Sequence, residues 1–113
     1  MLTIEKLKEY GADVDKGKSR CANNEMLYLR LVKICVQELS TCGLGDALRA
    51  NDLDRAFEIA HKLKGGVSNL ALDPVAAPVS ELTELLRNKT PGDYEDLLSK
   101  IARETEKLTA MAD

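Results

Sequence analysis

Between residues 53 and 72 the apolar residues recur at helical spacing, and they keep that spacing through two adjacent glycines, Gly65 and Gly66. A helix turns about 100° per residue. Ala56, Ala60, Leu63, Val67 and Leu70 therefore share one arc of the cylinder, with Ile59 at its edge. A Gly-Gly pair commonly ends a helix, and each glycine costs about 1 kcal/mol relative to alanine inside one. Here the apolar register runs on to Val67, Leu70 and Leu72. The pattern predicts a single helix from Asp52 to about Leu70, with glycines that serve something other than helix propensity.

The only histidine of the chain, His61, lies in this segment. The centre of the apolar arc is roughly 140° away from it, so the imidazole points to solvent. Asp54, Phe57, Glu58, Lys64, Gly65 and Ser68 share its side of the helix, because positions three, four and seven apart stack on one face. An imidazole titrates near neutrality and so keeps a neutral fraction with a free nitrogen lone pair. A lysine three residues on can interact with the charge of a phosphoryl group. Glycine one residue further removes a Cβ that would crowd an incoming group. These residues together suit an imidazole that accepts a phosphoryl group.

The rest of the chain reads as helix. No β alternation longer than a few residues, no internal repeat and no low-complexity tract occurs in its 113 residues. Thr3 caps a short helix to about Tyr10, ended by Gly11, and Asp13 to Cys21 is a polar connection with room for one more turn starting near Val14. A first long helix begins after Asn23 or Asn24, carrying Leu27, Tyr28, Leu31, Val32, Ile34, Cys35, Leu39 and Cys42 on an apolar arc broad enough to touch more than one neighbour. Gly43 and Gly45 punctuate it, and Leu44 and Ala47-Leu48 indicate either one further turn or a restart. Asp73-Pro74 is an N-cap followed by proline at the first helical position, opening a helix through Val75, Val79, Leu82 and Leu86 to Asn88. Pro78 predicts a kink, or a main helix that begins at Ala77. Pro91-Gly92-Asp93 makes a turn, with Asp93 capping a last helix from Tyr94 past Met111.

Four amphipathic helices joined by short loops pack best as an all-α, antiparallel up-and-down four-helix bundle, with the short N-terminal helix across one end. The expected organisation is one domain over 1–113, with 1–22 as an N-terminal cap region and 23–112 as the bundle.

Charge and motifs narrow the function. Sixteen Lys and Arg against 19 Asp and Glu give a formal net charge of −3 without a basic block, which argues against nucleic acid as a partner. No apolar run approaches the roughly 18 residues needed to span a bilayer, and Met1-Leu2-Thr3-Ile4-Glu5-Lys6 lacks the apolar centre of a signal peptide. A cytoplasmic protein without membrane partners is expected. Cys21, Cys35 and Cys42 are odd in number, and a Cys35–Cys42 bridge would span two helical turns, about 10 Å. With no C-x-x-C or histidine pair, no metal site or cofactor site is expected, and small buried apolar roles fit the cysteines better. No glycine-rich nucleotide loop is present, so a chain of this kind would receive phosphate from another protein.

The run His61-x-Leu63-Lys64-Gly65 followed by Ser68-Asn69-Leu70 resembles the signature of histidine phosphotransfer (HPt) domains, the carriers of multistep phosphorelays. The likeness extends to the chain length, the single histidine, the lead-in from Asp13-Val14-Asp15 to Leu27-Tyr28 and the order of helices. It implies the bundle fold, His61 as phosphoacceptor, Lys64 as the cation beside the phosphoryl group and Gly65 as the clearance residue. Ser68 and Asn69 fall where the family keeps small or polar groups. The chain departs from the family pattern at Ala71, where glycine is frequent, and at Pro78, where proline is rare.

The resemblance implies a relay intermediate without kinase activity of its own, which takes phosphate from a receiver-domain aspartate and passes it to another receiver. Its partners would be response-regulator receivers or a hybrid sensor kinase, with magnesium carried by the receiver. Geometry on the helix adds a docking rim of Asp54, Phe57, Glu58 and Lys62 around His61. Two alternatives stay open: a phosphoacceptor domain of a histidine kinase, served by an ATP-bound kinase domain, and a helical adaptor whose histidine is incidental.

Overall fold

The computed structural model describes residues 1–89 and 94–112. Among them every regular element is helical: α1 (Ile4–Tyr10), α2 (Val14–Ser19), α3 (Glu25–Thr41), α4 (Leu44–Arg49), α5 (Leu53–Asn69), α6 (Asp73–Arg87) and α7 (Tyr94–Ala112). The helix starts follow their capping residues. The side chains of Thr3, Asp13, Asn24 and Asp52 accept hydrogen bonds from the backbone N–H groups of Lys6, Lys16, Leu27 and Arg55, at 3.2, 3.3, 3.1 and 3.2 Å. Each satisfies one donor that the first turn leaves unpaired. The chain stops and restarts at Gly43, whose φ of 77° lies in the left-handed region, so the apolar residues after it form the separate α4. The expected turn at Pro91-Gly92-Asp93 lies outside the described residues.

The long helices pack as a closed circuit: α5 against α6, α6 against α7, α7 against α3, and α3 against α5. The short ones attach to it, α4 along α5, α1 against α2 and α7, and α2 against α3. The shared core is made by one stripe from each long helix, including Tyr28 and Val32, Leu63 and Val67, Val79 and Leu82, and Leu108. Cys21 and Cys35 are buried in it and Cys42 is half-buried, all three as free thiols. Burial pushes the Cys35 thiol up to about 11, with Glu38 adding to the shift, so this sulfur is packing rather than a nucleophile.

Three expectations are corrected. Leu27 and Ile34 do not join the buried arc of α3: they are 38% and 46% exposed, and the buried stripe is the narrower set Tyr28, Val32, Cys35, Val36 and Leu39. The N-cap of α6 is Leu72; Asp73 is already helical and makes no capping bond, which puts Pro74 in the first turn one position later than expected. Finally, of the two alternatives at Pro78, the helix beginning at Ala77 is overturned: α6 starts at Asp73, and its span to Arg87 includes Pro78. Pro78, the sixth residue of the helix, is buried, and without an N–H it leaves the Pro74 carbonyl without its intrahelical donor.

Candidate functional site

The glycines do not break α5, which is helical from Leu53 to Asn69. Ala56, Ala60, Leu63 and Val67 are buried in it, and His61 is exposed on the opposite side. A Cβ built on Gly65 would meet nothing within 4 Å, so this glycine leaves open space beside the histidine. One built on Gly66 would lie 3.4 Å from the Cys35 sulfur, and Gly66 thus marks the seam where α5 approaches α3. The two glycines face different surroundings and have different uses.

Around the imidazole the side chains form a chain of contacts toward α6. The Phe57 ring, one turn earlier and half-buried, stacks on the His61 ring with centroids 5.6 Å apart and planes at 17°. The Arg87 guanidinium lies over the Phe57 ring, 5.2 Å from its centroid. Arg87 Nε is 3.4 Å from Glu84 Oε1, and the same carboxylate oxygen is 3.4 Å from Lys64 Nζ. Lys64 is thus on the histidine's side of α5, as its spacing requires, but its ammonium is held by α6. Asp54 is exposed two turns before His61 and pairs with Lys89 at 3.7 Å.

Glu58 and Lys62 are exposed on the flank of α5 away from α6. Lys62 lines a groove of about 250 Å³ with Ile59 and Leu63 from α5 and Glu38, Thr41 and Cys42 from α3. Ile34, one turn before Glu38 on α3, is exposed.

Ser68 and Asn69 are exposed, roughly 10 Å along the helix from His61 at 1.5 Å per residue. Their backbone carbonyls are engaged: Arg20 Nη1 donates to the Ser68 oxygen at 2.7 Å and to the Asn69 oxygen at 3.0 Å. The next two carbonyls are also taken by the N-terminal segment, Leu70 O by the Tyr28 hydroxyl at 3.0 Å and Ala71 O by the Asp13 N–H at 3.0 Å. Residues 13 to 28 therefore cap the C-terminus of the histidine helix.

Glu84, Arg87 and Arg20 were not candidates in the sequence. The first two approach His61 only through the register of α6 against α5, which no periodicity within one helix reports. Arg20 acts across 48 residues of sequence. Among the described residues no cluster of three His, Cys, Asp or Glu side chains could hold a metal ion, and no helix is long and apolar enough to cross a membrane.

A family model described as the Hpt domain matches residues 30–112, well over half of the chain, and the chain belongs to that family. Hpt domains carry phosphoryl groups on histidine in phosphorelay signalling, are carriers rather than kinases, and interact with receiver domains and histidine kinases. No curated protein and no solved structure matched the chain. The family match begins inside α3, so α1, α2 and the Arg20 and Tyr28 contacts lie before it.

Proposed function

We propose that this chain is a relay intermediate in which His61 accepts the phosphoryl group of a receiver aspartate and returns it to the aspartate of another receiver. The observation that carries this reading is the placement of the chain's only histidine, exposed at the middle of α5, with open space at Gly65 on one side and Lys64 one turn on. The unprotonated ring nitrogen attacks phosphorus, the bond from phosphorus to the aspartyl oxygen breaks, and the carboxylate leaves with the electron pair. The ring's remaining N–H proton can then pass to solvent. Lys64 stabilises charge on the phosphoryl oxygens. Magnesium belongs to the receiver, and this chain needs no metal or cofactor of its own.

The circuit of α3, α5, α6 and α7 is read as an antiparallel up-and-down four-helix bundle, with α1 and α2 closing one end as part of a single domain. Ser68 and Asn69 act at a distance from the imidazole, as the polar end of the helix that Arg20 holds. A receiver would cover the surface around His61: Phe57 and the exposed Leu27 and Ile34 supply apolar contact, and Asp54, Glu58 and Lys62 the charged rim. The expected location is the cytoplasm.

The test is incubation of the chain with a radiolabelled phospho-receiver. Acid-labile, base-stable label that is lost in His61→Gln supports the relay; label that persists in that variant refutes it. If only an ATP-loaded kinase domain, and no phospho-receiver, labels His61, the chain is the phosphoacceptor domain of a histidine kinase instead.

A further inference from the structure

We propose that Glu84 is a positioning residue that holds Lys64 and Arg87 through one carboxylate oxygen and so sets how readily the phosphoryl group leaves His61. The inference rests on the reading of His61 as phosphoacceptor. Glu84 Oε1 is 3.4 Å from Lys64 Nζ on α5 and 3.4 Å from Arg87 Nε on α6. The Arg87 guanidinium is 5.2 Å from the Phe57 ring, which in turn stacks on His61 at 5.6 Å. Both cations on the α6 side of the imidazole are therefore committed to one carboxylate before any phosphate arrives.

A phosphoryl group brings between one and two negative charges next to this carboxylate. It must either share the Lys64 ammonium with Glu84 or displace it, and in both cases the carboxylate stands close to a second anion. Either arrangement raises the free energy of the phosphorylated state above that of a site lacking Glu84. The histidine thus stays a ready donor and does not trap the phosphoryl group behind a firm ion pair. The Lys64 and Glu84 side chains are 35% and 52% exposed, so solvent screens the effect and limits its size. A change of about three- to fivefold in an equilibrium constant is the appropriate scale.

The measurement is phosphoryl exchange between the full chain and N-phosphoimidazole, followed by phosphorus NMR and approached from both sides. A His61 ring nitrogen attacks phosphorus, the P–N bond of the donor breaks, and the released imidazole takes up the proton that the His61 ring gives up. No protein partner is needed. Glu84→Gln is expected to move the equilibrium about three- to fivefold toward phosphohistidine, and the same substitution in a Lys64→Met background to move it less than twofold. In 1 M salt the Glu84→Gln effect should shrink toward none, because exposed charges are screened over about 3 Å. An unchanged equilibrium in Glu84→Gln, or an equal shift with and without Lys64, overturns the proposal; a lowered melting temperature alone would mark Glu84 as a structural ion pair. Failure of the relay reading looks different: His61 exchanges with phosphoimidazole but is labelled by no phospho-receiver.

Discussion

The Tyr28 hydroxyl donates to the Leu70 carbonyl oxygen at 3.0 Å, joining the start of α3 to the end of the histidine helix inside the core. It is one of a run of contacts, with Arg20 on Ser68 and Asn69 and the Asp13 N–H on Ala71, that brings a donor to four successive carbonyls at the end of α5 and just beyond it. Helix C-termini leave such carbonyls without intrahelical donors. The N-terminal segment supplies them, which fixes where α5 ends and how α5 is seated against α3.

Tyr28→Phe should therefore destabilise the fold by about 1–2 kcal/mol, because the ring packing is kept while a buried acceptor loses its donor. Gly17→Ala should cost more, about 1–3 kcal/mol: a Cβ there would run into the Tyr28 ring and lie 2.6 Å from the Leu70 oxygen, and neither can move without giving up the bond. Urea denaturation of the two variants measures both, and a Gly17→Ala variant as stable as wild type would contradict the packing described.

The same tyrosine gives a pH dependence. Burial pushes the Tyr28 phenol up to about 12, with smaller contributions from the charges of Cys21, Asp13 and Asp73. A folded-state value above the unfolded one means that the neutral phenol contributes stability fully below the ordinary value of 10.0, and loses it as the pH rises through about 12. Tyr10 moves in the same direction, through burial first and then the nearby Glu104. Stability should fall between pH 10 and 12, and Tyr28→Phe should flatten that fall. Thermal melts across this range, with wild type and variant compared at each pH, provide the check.

Much of this was legible in the sequence because it is local. Thr3 and Asn24 are caps that act on the next three residues, and the exposure of His61 follows from the positions of Ala56, Ala60, Leu63 and Val67 on the same helix. What depends on one helix meeting another was not legible. The wheel puts Leu27 and Ile34 with the apolar side of α3, yet they stay exposed because no neighbouring helix reaches that edge. Lys64 was legible as a neighbour of His61 but not as a partner of Glu84, since that contact depends on how far α6 is shifted along α5. The turn at Cys21 to Asn24 was hidden for another reason: Ala22 and Asn23 have φ of 55° and 57°, and alanine gives no sequence signal for that conformation.

Ala22 is exposed in that left-handed conformation, so its strain is not offset by packing. Ala22→Gly should raise stability by about 0.5 kcal/mol, the relief of strain exceeding the added chain entropy of the unfolded state. Ala71 has the same kind of φ, 56°, but is 1% exposed. Ala71→Gly gains the same relief and loses a buried methyl worth about 0.8 kcal/mol, so it should leave stability nearly unchanged. The family's frequent glycine at this position meets the backbone requirement, and the alanine here trades it for packing. Melting temperatures of the two variants distinguish the cases, and equal gains would contradict the difference in burial.

Lys64→Ala should slow transfer from a phospho-receiver roughly tenfold while changing stability by less than about 1 kcal/mol. Among the described residues the lysine's ion pair is the partly exposed one with Glu84, and Glu84 keeps Arg87. Stopped-flow transfer rates and denaturation curves on the same preparation measure the two quantities. A stability loss of several kcal/mol would show that Lys64 is structural rather than part of the transfer site.

Gly65 separates fold from function most cleanly. An added Cβ there has nothing within 4 Å, and a residue with better helix propensity should stabilise α5. Gly65→Ala is expected to raise stability by up to about 1 kcal/mol, and Gly65→Leu by a similar amount. The two should part in transfer rate. A methyl group adds little bulk beside the imidazole, whereas a leucine fills the space a receiver's active site must enter, and misplacement of reacting groups by about 1 Å can cost on the order of a hundredfold in rate. Gly65→Leu should thus be more stable than wild type and at least about tenfold slower, with Gly65→Ala between them in rate. Transfer at an undiminished rate in Gly65→Leu would show that partners approach His61 from another side.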